Sequence, residues 1–575
     1  MDILDALVTQ GKIDQETANQ IRIDSITQGK DIDTVLEAGS LVSQEDLYKA
    51  KSIVFNIPFK DVKSQNITKE IFNIIEEADA RSHMVLPFDK KDNKVLLAMA
   101  NPLDGQAIQY LSRKYNIEIE PYLAIPSDIL NIIDSKASAQ IEGNVVEEVE
   151  AANIAFKIDD TASDIGNLAD FTNTVADAPI VKIINTILDY GVKFRASDIH
   201  IEPEKKNLRF RFRIDGILQE KLAIPLSLAP AIVSRIKILS KLKIDEKRIP
   251  QDGRFNVKVG KEIVDLRVSS LPIVYGEKIV IRLLRKTGGI TKVEELGLQN
   301  ESFEKFKSAL SLTKGIILIT GPTGSGKTQS LASAISSINN DTLNILTLED
   351  PVEIEIDGVN QVQVNSEVGL TFASGLRAFL RQDPNVIMVG EIRDEETARL
   401  ATQASLTGHL VFSTIHTTSA AGAIPRLLDM GIEPFLISST LEVVVAQRLV
   451  RKVCNTCTIK YQAEKSLMND ISSIMEGTDV LSKYLKDNNS VLYLNKARGC
   501  SVCDGTGYLG RIGIFEILVM DENIREKILN KATSDDIDLY AKKNGMVSLI
   551  QDGISKVLDG VTTIEEVYRV AKEEI

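Results

Sequence analysis

The chain has 575 residues, 43% hydrophobic and 26% charged, with 67 basic against 81 acidic side chains for a net charge of −14. That length exceeds what one core supports, and the acidic balance argues against broad, nonspecific nucleic-acid binding. No apolar run approaches the length of a membrane-spanning helix, and the opening MDILDALVTQGK lacks a signal-peptide layout, so a cytoplasmic location is expected.

Residues 1 to about 55 read as short helices, with apolar Ile3, Leu4, Leu7, Val8 and Ile13. The pattern recurs: TVLEAGSLVSQEDLYKA aligns with ILDALVTQGKIDQETANQ through Gly39 and Gly11, an imperfect internal duplication. The pattern then turns mixed α/β, with strands in HMVLPFDKKDNKVLLAMANP and IEIEPYLAI, and closes an N-terminal region, 1–135. Residues 136–175 carry small residues, scattered acids and little periodicity, the composition of a flexible linker.

A middle α/β domain is expected over 176–290. It opens with the helix APIVKIINTILDYGVKF and continues in the strands ASDIHIEP and NLRFRFRIDG. A hairpin RFNVKVGKEIVDLRVSSL turning at Gly260 follows, and IVIRLL closes the domain. Arginines gather here, among them Arg267 and Arg282, and Arg209, Arg211 and Arg213 alternate so that all three share one face. Two readings stand side by side: a solvated face, or guanidinium groups that stabilise charge on a phosphoryl group bound by the next domain.

From 291 to 450 strands alternate with helices, the pattern of a parallel nucleotide-binding sheet. Its first strand, Ile316 to Thr320, runs straight into GPTGSGKT, which fits G-x-x-x-x-G-K-T at Gly321, Gly326, Lys327 and Thr328. The glycines, with Pro322, Thr323, Gly324 and Ser325 between them, let successive backbone N–H groups turn toward phosphates. Lys327 can reach the β and γ oxygens, Thr328 can ligate magnesium, and the helix from about Gln329 turns its positive end to the anion. ATP and Mg²⁺ are therefore the expected ligands. Two later strands end in acids: LNILTLEDPVE sets Glu349, Asp350 and Glu353 at a strand terminus, and NVIMVGEIRDEE sets Glu391 at another. Carboxylates there can hold the metal's water or act as general base. His409 and His416 bracket one strand, HLVFSTIH, at opposite ends, too far apart to share a metal without a bend; His416 is the candidate phosphate sensor.

All four cysteines fall in 451–515, as Cys454-x-x-Cys457 and Cys500-x-x-Cys503. Paired knuckles of this spacing supply the four thiolates of a tetrahedral structural zinc site, with no coordination position left for catalysis. A helical segment, 516–575, completes the chain.

The ordered set GPTGSGKT, LTLEDPVE, VIMVGEIRDEETA and TGHLVFSTIHTTSA resembles the Walker A, Asp box, Walker B and His box of the secretion-ATPase superfamily. ASDIHIEP, RIPQDGR, DLRVSSLP and YGEKIVIRLL upstream, with VAQRLVRKVC, GYLGRIGIFEIL and GMVSLIQDGISKVLDGVTTIEEVYRV downstream, are similar to type IV pilus assembly and type II secretion ATPases. The resemblance covers nearly the whole chain and is weakest before residue 180. It implies a multidomain α/β protein: a RecA-like P-loop core, a preceding PAS-like α/β domain, a zinc subdomain and an α/β N-terminal domain. It further implies that Glu391 polarises the attacking water, and that Glu353 with Glu349 and Asp350 surrounds the metal and water. By the same resemblance His416 contacts the γ-phosphate, His409 supports that region, and Arg267 and Arg282 are presented to the nucleotide. A homo-hexamer acting on an inner-membrane platform protein to add pilin or pseudopilin subunits is implied too, with an adaptor at the N-terminal domain as a further partner.

In relatives that bind cyclic di-GMP each N-terminal repeat opens with Arg-Leu-Gly. Here Asp2-Ile3-Leu4 and Lys30-Asp31-Ile32 stand in that place, so this ligand is not expected. Retraction motors and DNA-transfer ATPases of the same superfamily lack the tetracysteine segment. A non-hydrolysing scaffold would not need both Lys327 and Glu391.

Overall fold

A computed structural model of the chain describes residues 2–28, 42–63, 67–91, 94–133, 177–259, 262–285, 289–476, 478, 480–481, 484, 492–500 and 502–571. The expected linker, the turn at Gly260, and Lys30, Asp31, Ile32 and Gly39 of the second repeat lie outside these residues. The chain forms two compact units: one takes Met1–Val146 with Cys454–Cys457 and Arg498–Gly507, the other the remainder.

In the first unit the helix Ile3–Thr9 starts on a reciprocal capping box between Asp2 and Asp5 and stops before Gly11, whose φ of 68° suits glycine. The helices Gln15–Gln28 and Gln44–Phe55 follow, the second capped by Ser43. Leu4, Leu7, Ala18, Ile21 and Leu47 form one small core, shared with Leu123 and Ile125. Beside it a three-stranded sheet, β1 (Val85–Lys91), β2 (Lys94–Met99) and β3 (Glu118–Leu123), buries its own core around Leu86, Leu97 and Leu111.

The second unit holds two large sheets and a small two-stranded one. Six antiparallel strands in the order β6-β5-β4-β9-β8-β7 make the middle domain: β4 (Asp198–Pro203), β5 (Asn207–Ile214), β6 (Ile217–Pro225), β7 (Gln251–Val259), β8 (Glu262–Ile273) and β9 (Gly276–Arg285). Along β5, Leu208, Phe210 and Phe212 turn inward, and Arg209, Arg211 and Arg213 turn to the other face, as period-two alternation requires. The arginines are not simply solvated. Glu202 takes Arg211 through both carboxylate oxygens at 2.8 Å, along with Arg209 and Lys278, and this cationic setting holds its carboxyl at about 2 despite burial.

The seven-stranded sheet runs β12-β11-β13-β14-β10-β15-β18. Its members are β10 (Gly315–Thr320), β11 (Ile345–Glu349), β12 (Asn360–Gln363), β13 (Val386–Val389), β14 (Leu410–Ile415), β15 (Leu441–Val453) and β18 (Tyr508–Val519). All pairings are parallel except β15 with β18. Ile316 and Leu318 enter the core on one face, and Ile317 and Ile319 the core on the other, so β10 is apolar throughout. Between β15 and β18 the chain inserts a two-stranded sheet, β16 (Ile459–Gln462) with β17 (Tyr493–Lys496).

Residues 451–515 thus do not form a self-contained block. The expected boundary at 450/451 falls inside β15 and the one at 515/516 inside β18, because those strands pair with each other from Val443↔Val519 to Val453↔Tyr508. The C-terminal helices Glu522–Leu529, Ser534–Lys543, Leu549–Leu558 and Ile564–Ala571 pack Ile524, Ile537, Leu549, Ile554 and Val567 into the same core as the sheet.

Candidate nucleotide and metal sites

Every parallel strand of the large sheet points its C-terminal end to one edge, and the sequence puts its polar residues there. β10 ends at Thr320 and opens into the phosphate loop, which closes on the helix Lys327–Ile338. Gly324 and Gly326 have φ of 80° and 91°, the left-handed conformation that turns backbone amides into a concave nest. The loop lies on a floor made by Gln447: a Cβ at Gly321 would stand 2.5 Å from the Gln447 carbonyl, and one at Gly326 would stand 2.9 Å from its side-chain nitrogen. Gln447 also accepts a 2.8 Å hydrogen bond from Ser330 in the loop's helix. Gly321 is therefore required by its contact with backbone, and Gly326 by its left-handed dihedral angle.

Lys327 Nζ donates to the carbonyls of Gly321 at 2.7 Å and Pro322 at 3.2 Å. Burial lowers its pKa to about 8, opposed by the negative charge of Glu391 and aided by the positive charge of Arg448. Glu391 follows β13 and His416 follows β14. Their nearest atoms, Glu391 Oε2 and His416 Nε2, are 3.6 Å apart. Burial, and then the Lys327 charge, bring His416 below its usual pKa, so the imidazole is neutral near pH 7. Lys327, Glu391 and His416 thus act on one another across the ends of β10, β13 and β14. Arg393, which the sequence reading did not single out, ion-pairs with Glu391 at 2.5 Å.

The acids of LEDPVE divide. Glu349 is buried at the end of β11, accepting from Thr347 at 2.7 Å and Gln361 at 3.0 Å, and burial raises its pKa. Asp350 and Glu353 are exposed just beyond, and Asp350 lines a cleft with Thr371, Arg393, Asp394 and Glu396. His409 is not brought to this edge. It precedes β14 at the N-terminal end, on the order of 20 Å from His416 by strand rise, and its Nδ1 lies 2.8 Å from the Ala404 carbonyl. The expectation that it supports the phosphate region does not fit this placement, since the pleated strand carries the two rings to opposite edges. Arg267 and Arg282 face each other across β8 and β9, and Arg282 Nε donates to Asp198 at 2.9 Å. Among the described residues no hydrogen bond or ion pair joins either arginine to the phosphate loop.

The four cysteine sulfurs all lie within 4.8 Å of one another. Cys454–Cys500 and Cys457–Cys503 are separated by 3.8 Å and Cys500–Cys503 by 3.7 Å. A tetrahedron with metal–sulfur bonds of about 2.3 Å has edges of about 3.8 Å, so the four thiols fit a tetrahedral ion. The amides of Cys500 and Gly507 each donate to Cys503 Sγ at 3.1 Å, the outer contacts that orient a thiolate ligand.

A family model described as type II/IV secretion system protein matches residues 173–569, which include both large sheets of the second unit. The chain belongs to that family. A second model, described as the MshEN domain, matches residues 55–140 of this secretion-family protein. It is 46% identical over 441 residues to the type II secretion system protein E of Pseudomonas aeruginosa, spanning 77% of this chain and 84% of that one. It is 38% identical to the type IV pilus assembly ATPase PilB of Myxococcus xanthus over 98% of this chain and 97% of that one. The type II secretion system protein E of Xanthomonas campestris is 36% identical over 99% and 98%. With the family shown and its phosphate loop and strand-end glutamate in place, this secretion-family protein is an ATP hydrolase.

Proposed function

We propose that the chain is a motor ATPase that works as a hexamer on an inner-membrane platform, driving assembly of a type IV pilus or the pseudopilus of a type II secretion system. The observation that carries the reading is the meeting of Lys327, Glu391 and His416 at the ends of β10, β13 and β14. Lys327 offsets charge on the β and γ phosphates, and the loop amides hold the phosphoryl group in line. Glu391 orients the water and accepts its proton, once the Arg393 ion pair gives way to the substrate. His416, neutral, donates a hydrogen bond to the γ-phosphate. Magnesium, when bound, would be held by the Thr328 hydroxyl together with Asp350 and Glu353, and would supply neutralisation of phosphate charge. Glu349 supports this edge from the buried side.

Arg267 and Arg282 are assigned to completion of the site at a domain interface of the ring, where turnover moves middle domains against ATPase domains. The cysteine cluster is assigned to structural zinc. Cyclic di-GMP is not proposed as a ligand: Asp2, the first residue of the triplet that replaces Arg-Leu-Gly, pairs with Arg22 at 2.7 Å, as does the nearby Asp5 at 2.6 Å. Among the described residues no helix is long and apolar enough to cross a membrane. The proposed location, at the cytoplasmic face and attached through the machinery, rests on the likeness to secretion and pilus assembly proteins. In the cells of origin Lys327→Ala should abolish either surface pili or export of secreted enzymes; which one is lost decides between the two systems. Retention of both would overturn the reading.

A further inference from the structure

His416 stands on a short loop, and three hydrogen bonds hold the residues that follow it. Thr417 N donates to the Thr320 hydroxyl at 2.9 Å, and Ala420 N donates to Glu516 Oε1 at 2.8 Å. Between them the Thr418 carbonyl accepts from Arg448 Nη2 at 2.6 Å. Arg448 is only 9% exposed, so its guanidinium makes this charged hydrogen bond from a shielded position, although Thr418 itself is exposed. The other end of the guanidinium, Nη1, donates at 3.1 Å to the Gln447 carbonyl. That carbonyl is the atom against which Gly321 is packed. One side chain therefore joins the floor of the phosphate loop to the loop of His416.

Its position follows from the strand. β15 pairs with β10 as far as Thr320↔Ala446, so Gln447 and Arg448 are the first residues past the point where β10 becomes the phosphate loop. The guanidinium offers donors in a fixed planar fork, which suits two carbonyls in different directions better than an ammonium does. Its charge also reaches the site, as one of the influences that lower the pKa of Lys327.

We propose that Arg448 is a positioning residue for ATP hydrolysis, holding the His416 loop at a set distance from the phosphate loop. In this role it acts through His416 rather than on the phosphate or the water itself. The inference rests on the assignment of His416 to the γ-phosphate. A misplacement of this kind is felt in the transition state more than in the bound ground state.

The test is a double-mutant cycle in the assembled full-length ATPase, with Arg448→Gln and His416→Ala singly and together. Arg448→Gln should lower kcat by about tenfold or more with KM changed less than about threefold. In the His416→Ala background it should lower kcat by less than about twofold, since the group it positions is gone. Arg448→Lys, which keeps the charge but not the fork, should fall between wild type and Arg448→Gln, and it carries the cycle if Arg448→Gln fails to assemble. Equal losses in both backgrounds, or a loss confined to KM, would overturn the positioning role while leaving the His416 assignment standing. An unaltered kcat in His416→Ala alone would overturn that assignment and this inference with it.

Discussion

Glu391 and His416 approach to 3.6 Å although they are 25 positions apart in sequence, because each ends one of two adjacent parallel strands, paired from Val386↔Leu410 to Val389↔Ser413. The carboxylate and the neutral imidazole therefore face the phosphate loop from neighbouring strands, and they can divide the work of orienting water and phosphate.

Glu391→Gln keeps the shape of the side chain and removes the base. ATP binding should stay within about threefold of wild type while turnover falls by about 10²–10⁴-fold, the usual worth of a general base. Nucleotide binding by a fluorescent analogue and phosphate release by a coupled assay check the two halves. Turnover within a few-fold of wild type would remove the assignment.

Lys327 gives a pH signature. Its folded value, about 8, lies below the ordinary 10.5, because burial favours the neutral amine. The charged form therefore costs stability, fully below about pH 8, and the cost fades as pH rises from there toward 10.5. Binding of a polyphosphate restores the ammonium, so ATP affinity should fall as pH rises through about 8, with proton uptake on binding. Calorimetry in buffers of different ionisation enthalpy measures that uptake. Lys327→Ala should abolish it and weaken ATP binding by about 10- to 100-fold.

The cysteine cluster should hold about one zinc per chain by elemental analysis of protein purified without chelators. Cys454→Ser should lose most of it and expose residues 454–457 and 498–507 to hydrogen exchange, because metal binding and local folding are coupled. A chain free of zinc, with those residues still protected, would remove the metal.

Arg267→Ala and Arg282→Ala should each cut turnover sharply, up to about 10³-fold, with far smaller effects on nucleotide affinity. Specific activity should also rise with protein concentration as rings assemble. Activity that stays flat down to a demonstrated monomer, with both variants near wild type, would return the two arginines to a structural role beside Asp198.

His409→Gln should leave turnover within about twofold of wild type, since its ring lies at the far edge of the sheet against the Ala404 carbonyl. A loss as large as that of His416→Ala would mean the far edge takes part in hydrolysis.

Local chemistry made much of this protein legible in its sequence. A phosphate loop is a contiguous motif whose glycines, lysine and threonine act through their own backbone and a short reach, so Gly321 to Thr328 could be read without a fold. The cysteine pairs were legible for the same reason: each knuckle is a four-residue turn, and only the meeting of the two knuckles needed the chain to fold back. Apolar runs such as Val386 to Val389 announced buried strands, and acids at their ends announced an edge. Strand order left no such mark. Nothing local says that β14 lies between β13 and β10, that β15 pairs with β18 across a long insertion, or that Arg448 touches the loop of His416. Those relations arise from hydrogen bonding and packing between segments distant in sequence, so they exist only once the sheet has formed. The seven-residue spacing already sent His409 and His416 to opposite ends of one strand; the tertiary structure alone decided which end lies beside Glu391, because that depends on β14 pairing parallel with β13.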